Sequence, residues 1–129
     1  RRHMLHDIRI PFTTDASGDA TVNPDFWPGA CYLEAVIYDY VDALTGADLT
    51  LSDDRFAVSQ TFLTITNAGV ADIVWYPRRA IDDNVGAAQA LADGDSTRFI
   101  IMGRPKLVVA QGGATKTGTI ILVVDVPGR

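Results

Sequence analysis

Apolar residues recur along this chain at short, strand-like intervals. Leu5–Phe12 alternates loosely, with Ile8, Ile10 and Phe12 on one side, and Pro11 assigns the run to a sheet edge or a strand end. Thr13–Asp19 is dense in turn residues, and Ala20–Val22 reads as the strand returning from it. Pro24 and Pro28 make Asn23–Gly29 a loop. Leu49–Leu51 is a short strand closed by an acidic turn, Ser52-Asp53-Asp54. Phe56–Thr66 ends in a well-alternating strand, and Ile73–Tyr76 is another, stopped by Pro77. Phe99–Met102 precedes the densest β signal. There Leu107–Ala110 and Thr119–Val126, rich in β-branched residues, flank the glycine-bearing turn Gln111–Gly118. That pattern predicts a hairpin whose second strand, apolar on both faces, lies inside a sheet.

Ala30–Leu44 supports two readings. Leu33, Val36, Ile37, Tyr40, Val41 and Leu44 fall at helical spacing. As a strand, Leu33, Ala35 and Ile37 alternate against Tyr32, Glu34, Val36 and Tyr38, and the Tyr, Val and Ile content favours that reading. Arg78–Ser96 is the least regular stretch, with room for one helical turn around Ala87–Ala92. Long irregular segments in compact domains usually make contacts. The sum is an all-β chain of about eight short strands with at most one short helix, an antiparallel, jelly-roll-like β-sandwich. Residues 1–12 form an N-terminal arm or first strand, and residues 13–129 the single sandwich domain. Arg1-Arg2-His3-Met4 does not start with methionine. Either Met4 is a natural start behind an added leader, or a preceding piece has been removed, so residues 1–3 stay outside the fold reading.

Charge narrows the partners. A formal charge of −5 over 129 residues, with the basic residues scattered, argues against a general nucleic-acid role. No apolar run reaches the about 18 residues that span a membrane. A lone cysteine, Cys31, cannot make an internal disulfide and reads as a small buried hydrophobe, consistent with folding in a reducing cytoplasm.

No constellation for catalysis emerges, and the chain is expected not to be an enzyme. The histidines, His3 and His6, are confined to the beginning, which places any Ser-His-Asp or Cys-His arrangement poorly. His3 with a free α-amine, or Asp82-Asp83 with Asp93-Gly94-Asp95, sketches a metal site, but a mobile arm and solvated turns explain the same residues. No metal or cofactor is expected. Gln111–Gly118 superficially resembles a phosphate loop, yet strand formers follow where a helix N-terminus is required. Phe26-Trp27 and Trp75-Tyr76 are the aromatic features. They keep a glycan platform open beside the simpler roles of core packing for Trp75 and edge cover or subunit contact for Phe26-Trp27.

Four segments carry a resemblance: Ile10–Thr21, Gly46–Leu51, Trp75–Arg78 and Val108–Thr119. In order and spacing they are similar to segments of small proteins encoded among bacteriophage and prophage virion genes. In such relatives the part matching Tyr32–Tyr38 tends to be a strand, which decides for strand here. The acidic insert Tyr38–Thr45 and the first residues depart from the pattern. The resemblance implies a virion structural protein, most simply a capsid decoration or cement protein. It would be assembled in the host cytoplasm and bound to the major capsid protein on the outer surface of the phage head. It would be a homo-oligomer, expected as a trimer from the three-fold sites of icosahedral shells, with no nucleic-acid or membrane partner. Phe26, Trp27, Arg78, Arg79, Asp82 and Asp83 are the expected subunit or capsid contacts, helped by an extended N-terminal arm. A host-glycan-binding head-fibre or tail module and a head–tail or tail completion protein are the alternatives.

Overall fold

A computed structural model describes residues 3–54, 59–80, 82, 84–88 and 96–127. Over these the chain is an all-β antiparallel sandwich without helix. Eleven strands, numbered in chain order, build it. One sheet has the order β1 (His3–Thr13), β11 (Thr117–Pro127), β3 (Cys31–Tyr40), β6 (Ile73–Trp75), with β9 (Ile100–Ile101) paired to the start of β3. The other has the order β2 (Ala20–Val22), β10 (Pro105–Ala110), β4 (Asp48–Asp53), β5 (Gln60–Ile65). β7 (Arg79–Ala80) and β8 (Ser96–Thr97) pair as a small ribbon.

The core lies between the sheets. Ile8, Ile10 and Phe12 of β1, Leu33, Val36 and Tyr38 of β3, and Ile120, Leu122 and Val124 of β11 face Leu49, Leu51, Leu107 and Val109. Each such aliphatic side chain contributes about 1.5–3 kcal/mol when taken out of water. β11 is central in its sheet, as its two-sided apolar pattern predicts, and β1 is an edge, as Pro11 predicts.

Ala30–Leu44 resolves as a strand over Cys31–Tyr40, and its helical look has a physical cause. The β3–β11 register jumps from Leu33↔Val124 to Ala35↔Val123, so Glu34 is the extra residue of a β-bulge. Inward positions therefore shift from Cys31 and Leu33 to Val36 and Tyr38. A single bulge turns a spacing of two into a local spacing of three, which mimics a helix face.

Several expectations are corrected. Leu107–Ala110 and Thr119–Val126 do not form a hairpin, because β10 and β11 belong to opposite sheets. The Gln111–Lys116 connection is an arch held by other segments: Gly112 N donates to Gly18 O (2.9 Å) and Leu44 N to Gly112 O (2.9 Å). Ala20–Val22 likewise pairs with β10 rather than returning along β1. Ser52 and Asp53 are buried strand residues, not a solvated turn, because the Asp53 carboxylate serves backbone donors inside the fold. The strand count exceeds eight because the irregular Arg78–Ser96 stretch opens and closes with the paired ribbon β7–β8. Asn84–Ala88 holds a turn and an isolated bridge from Ala88 to Asp82, and the rest of the expected helical turn lies outside the described residues. Residues 3–13 are a full partner of β11 rather than a free arm.

Candidate functional site: a grooved end of the sandwich

The two ends of the sandwich differ in kind. At one end the turn Thr14–Asp19, the Leu44–Ala47 loop and the arch Gln111–Lys116 lock together through backbone hydrogen bonds. Gly18 lies so close to the arch that a Cβ there would stand 2.9 Å from Gly113 N. Parts of the segments 10–21, 46–51 and 108–119 meet at this end, so those residues specify architecture there.

At the opposite end, around the loop 23–29 and the turn 102–104, lie three depressions that share lining residues in succession. The first, about 390 Å³, lies between the β1 edge (Asp7, Ile8, Arg9, Pro11) and Val22–Phe26. The second, about 700 Å³, shares Asn23, Pro24 and Asp25 with it and adds Trp27, Gly29, Asp54, Met102, Gly103 and Arg104. The third, about 220 Å³, shares Met102 and reaches Gln60, Arg79, Thr97, Arg98 and Ile100. The result is a band of shallow hollows with exposed apolar side chains on it: Phe26 (65%), Met102 (49%) and Ile100 (46%).

The backbone under this band is held firmly. Asp53 Oδ2 accepts from Met102 N (3.0 Å) and Gly103 N (3.2 Å), which forces the turn and throws Met102 outward. Arg104 Nη2 donates to Pro24 O (3.1 Å) and Asn23 Nδ2 to Pro105 O (2.9 Å), pinning the loop to β10. Arg98 Nη1 donates to Glu34 Oε1 (2.9 Å) and Asp125 Oδ2 (3.1 Å), with its guanidinium 4.2 Å from the Tyr32 ring centre. Its pKa is raised, chiefly by the Glu34 hydrogen bond. Burial, with Asp53 and Asp125 nearby, pushes the Cys31 thiol up to about 12, so it is protonated and inert at neutral pH. These charged groups tie strands together. Among the described residues no three His, Cys, Asp or Glu side chains gather to hold a metal ion.

Compared with known proteins, the chain matches no family profile, no curated protein and no solved structure.

The expected contact residues fall in two places. Phe26 is exposed beside β1, and Trp27 floors the second hollow, half-buried against the core. The Trp27 indole Nε1 is buried with no hydrogen-bond partner among the described residues. Arg78 and Arg79 follow β6 in the chain, and Arg79 lines the third hollow. Arg78 Nη1 is spent on Pro77 O (2.7 Å) and Glu34 O (3.2 Å), whereas Arg79 pairs with Asp82 at 3.1 Å in the open. Asp83 lies outside the described residues. Trp75 stacks on Tyr38 with ring centres 6.3 Å apart, and both indoles pack partly buried against the core. Ile100, Met102 and Arg104 were not foreseen as contacts. Within a short apolar run nothing marks which residue a buried carboxylate will turn to solvent.

Proposed function

We propose that this chain is a structural protein of a phage virion, a decoration or cement protein that binds the shell of the major capsid protein from outside and stabilises the head. The observation that carries the reading is the pair of hollows that meet at Met102, a pinned backbone presenting exposed Met102 and, in the third hollow, Ile100 to a partner. A pinned, polar-rimmed backbone loses little further entropy when the apolar side chains on it are covered, which is what an adhesive contact needs. Asp54, Arg79 and Arg104 border the hollows and would set register against the partner's charges. The resemblance of the four segments to virion-encoded proteins supports the setting, and a net charge of −5 disfavours packaged DNA as the partner.

The test is reconstitution. Purified shells lacking the protein are mixed with it, sedimented, and imaged by electron cryo-microscopy. Saturable binding at fixed shell positions, with a raised temperature of head disruption, is expected. Failure to sediment with shells, or density confined to the connector or tail, would overturn the proposal.

A further inference from the structure

β1 is an unusually open edge. It runs for 11 residues, pairs with β11 along its whole length, and no strand among the described residues pairs with its other side. In an antiparallel ladder alternate residues direct both backbone groups to one neighbour. Just past β1, Thr14 N donates to Lys116 O in the register that continues the β1–β11 ladder, so the even-numbered residues face β11. Pro11, which has no N–H, fits the outward set, and the backbone groups of Leu5, Asp7 and Arg9 face the groove beside Val22–Phe26.

The side chains of that outward set carry the second observation. Asp7 and Arg9 are both exposed on the outer face of the sheet, and among the described residues neither has an ion-pair partner. Leu5 beside them is 67% exposed. The charges discriminate between the ways in which this edge can meet itself. Outward groups meet outward groups only when odd residues oppose odd residues. One such register is centred on Ile8 and matches the two strands end to end, setting Asp7 against the partner's Arg9 and Arg9 against the partner's Asp7. Sliding by two residues either way sets Asp7 against the partner's Asp7, or Arg9 against the partner's Arg9, and like charges directly opposite are destabilising. In the matched register Pro11 opposes the partner's Leu5 and forfeits a bond only near the ends.

We infer that two copies of this chain join through β1, antiparallel about a two-fold axis at Ile8, with two Asp7–Arg9 pairs across the seam. The contact fuses the two β1-containing sheets into one and fills the groove walled by Phe26. It leaves the Trp27–Met102 hollow of each copy free. An isologous contact of this kind closes at two copies, so a trimer would have to use another surface. The inference does not depend on the virion reading.

Light scattering over a dilution series, together with urea titrations of each variant, tests it. The wild-type chain is expected to be a dimer. Asp7→Arg puts four like charges across the seam and should weaken association by about a hundredfold without changing the unfolding midpoint extrapolated for the monomer. Combining Asp7→Arg with Arg9→Asp restores opposite charges and should restore the dimer. A wild-type monomer or trimer overturns the inference. So does a dimer indifferent to Asp7→Arg, or one that the reciprocal exchange fails to rescue.

Discussion

Thr14 and Lys116 hydrogen-bond each other in both directions, Thr14 N donating to Lys116 O at 2.8 Å and Lys116 N donating to Thr14 Oγ1 at 2.7 Å. The same hydroxyl donates to Gly113 O, and Thr14 is buried. One side chain thus satisfies both a donor and an acceptor of the arch that carries the chain from one sheet to the other. Thr14→Val keeps the shape and removes the hydroxyl, stranding both groups. It should cost about 2–3 kcal/mol in urea unfolding, whereas Thr14→Ser should cost about 1 kcal/mol or less. Equal losses for the two would show that the hydroxyl is not what holds the arch.

Gly118 faces the Phe12 ring directly across β1 and β11. A Cβ at this position would lie 2.7 Å from Phe12 Cζ, and the ring is buried. Gly118→Ala is therefore expected to destabilise by about 1–3 kcal/mol through overpacking. Phe12→Leu should suppress most of that penalty in a double-mutant cycle, because it removes the atoms in conflict. Additive losses would place the strain elsewhere.

The thiol of Cys31 supplies a pH-dependent term. Burial first, then Asp53 and Asp125, raise it from its ordinary 9.0 to about 12. In the window between those values the unfolded chain releases the proton and the folded chain keeps it. Stability from this group is thus complete below pH 9.0 and is lost as pH rises toward about 12. Cys31→Ala should cost stability at pH 7 through the cavity it leaves, yet lose less between pH 8 and 11 than the wild type. At pH 8 a thiol reagent should label the wild type at the rate of unfolding. Fast labelling of the native protein would contradict the burial.

Met102 and Ile100 should matter to shell binding and little to folding. Both are about half exposed, so Met102→Ser with Ile100→Ser is expected to leave the free energy of unfolding in urea titrations within about 0.5 kcal/mol. In the sedimentation assay the same pair should weaken shell binding by about tenfold or more, as truncating central apolar contacts does. Arg78→Ala serves as the contrast. Its Nη1 is bonded to Glu34 O and Pro77 O, so its loss should register in stability as well as in any binding, unlike that of Met102 and Ile100. Unchanged shell affinity in the double variant would remove the hollow from the contact.

Much of the fold was legible in local pattern, because burial on one face of a strand writes itself into alternation. Ile8, Ile10 and Phe12 announced β1, Pro11 its edge position, and the two-sided apolar run Thr119–Val124 the central place of β11. Position along the chain could not say which strands pair. The arch Gln111–Lys116 and the turn Thr14–Asp19 each look like hairpin turns, and each instead sends the chain to the other sheet. The bonds that decide this join residues about a hundred positions apart, Thr14 to Lys116 and Gly18 to Gly112. The candidate site was legible only in part. Phe26 and Trp27 stood out as large aromatics in a proline-rich loop. Met102 did not, since its exposure follows from a carboxylate 49 positions away capping its N–H. Local periodicity, set by side-chain transfer from water, determined the strands and their faces. Partnering of buried backbone groups, a demand met only across the assembled fold, decided the topology and which end of the sandwich carries the grooves.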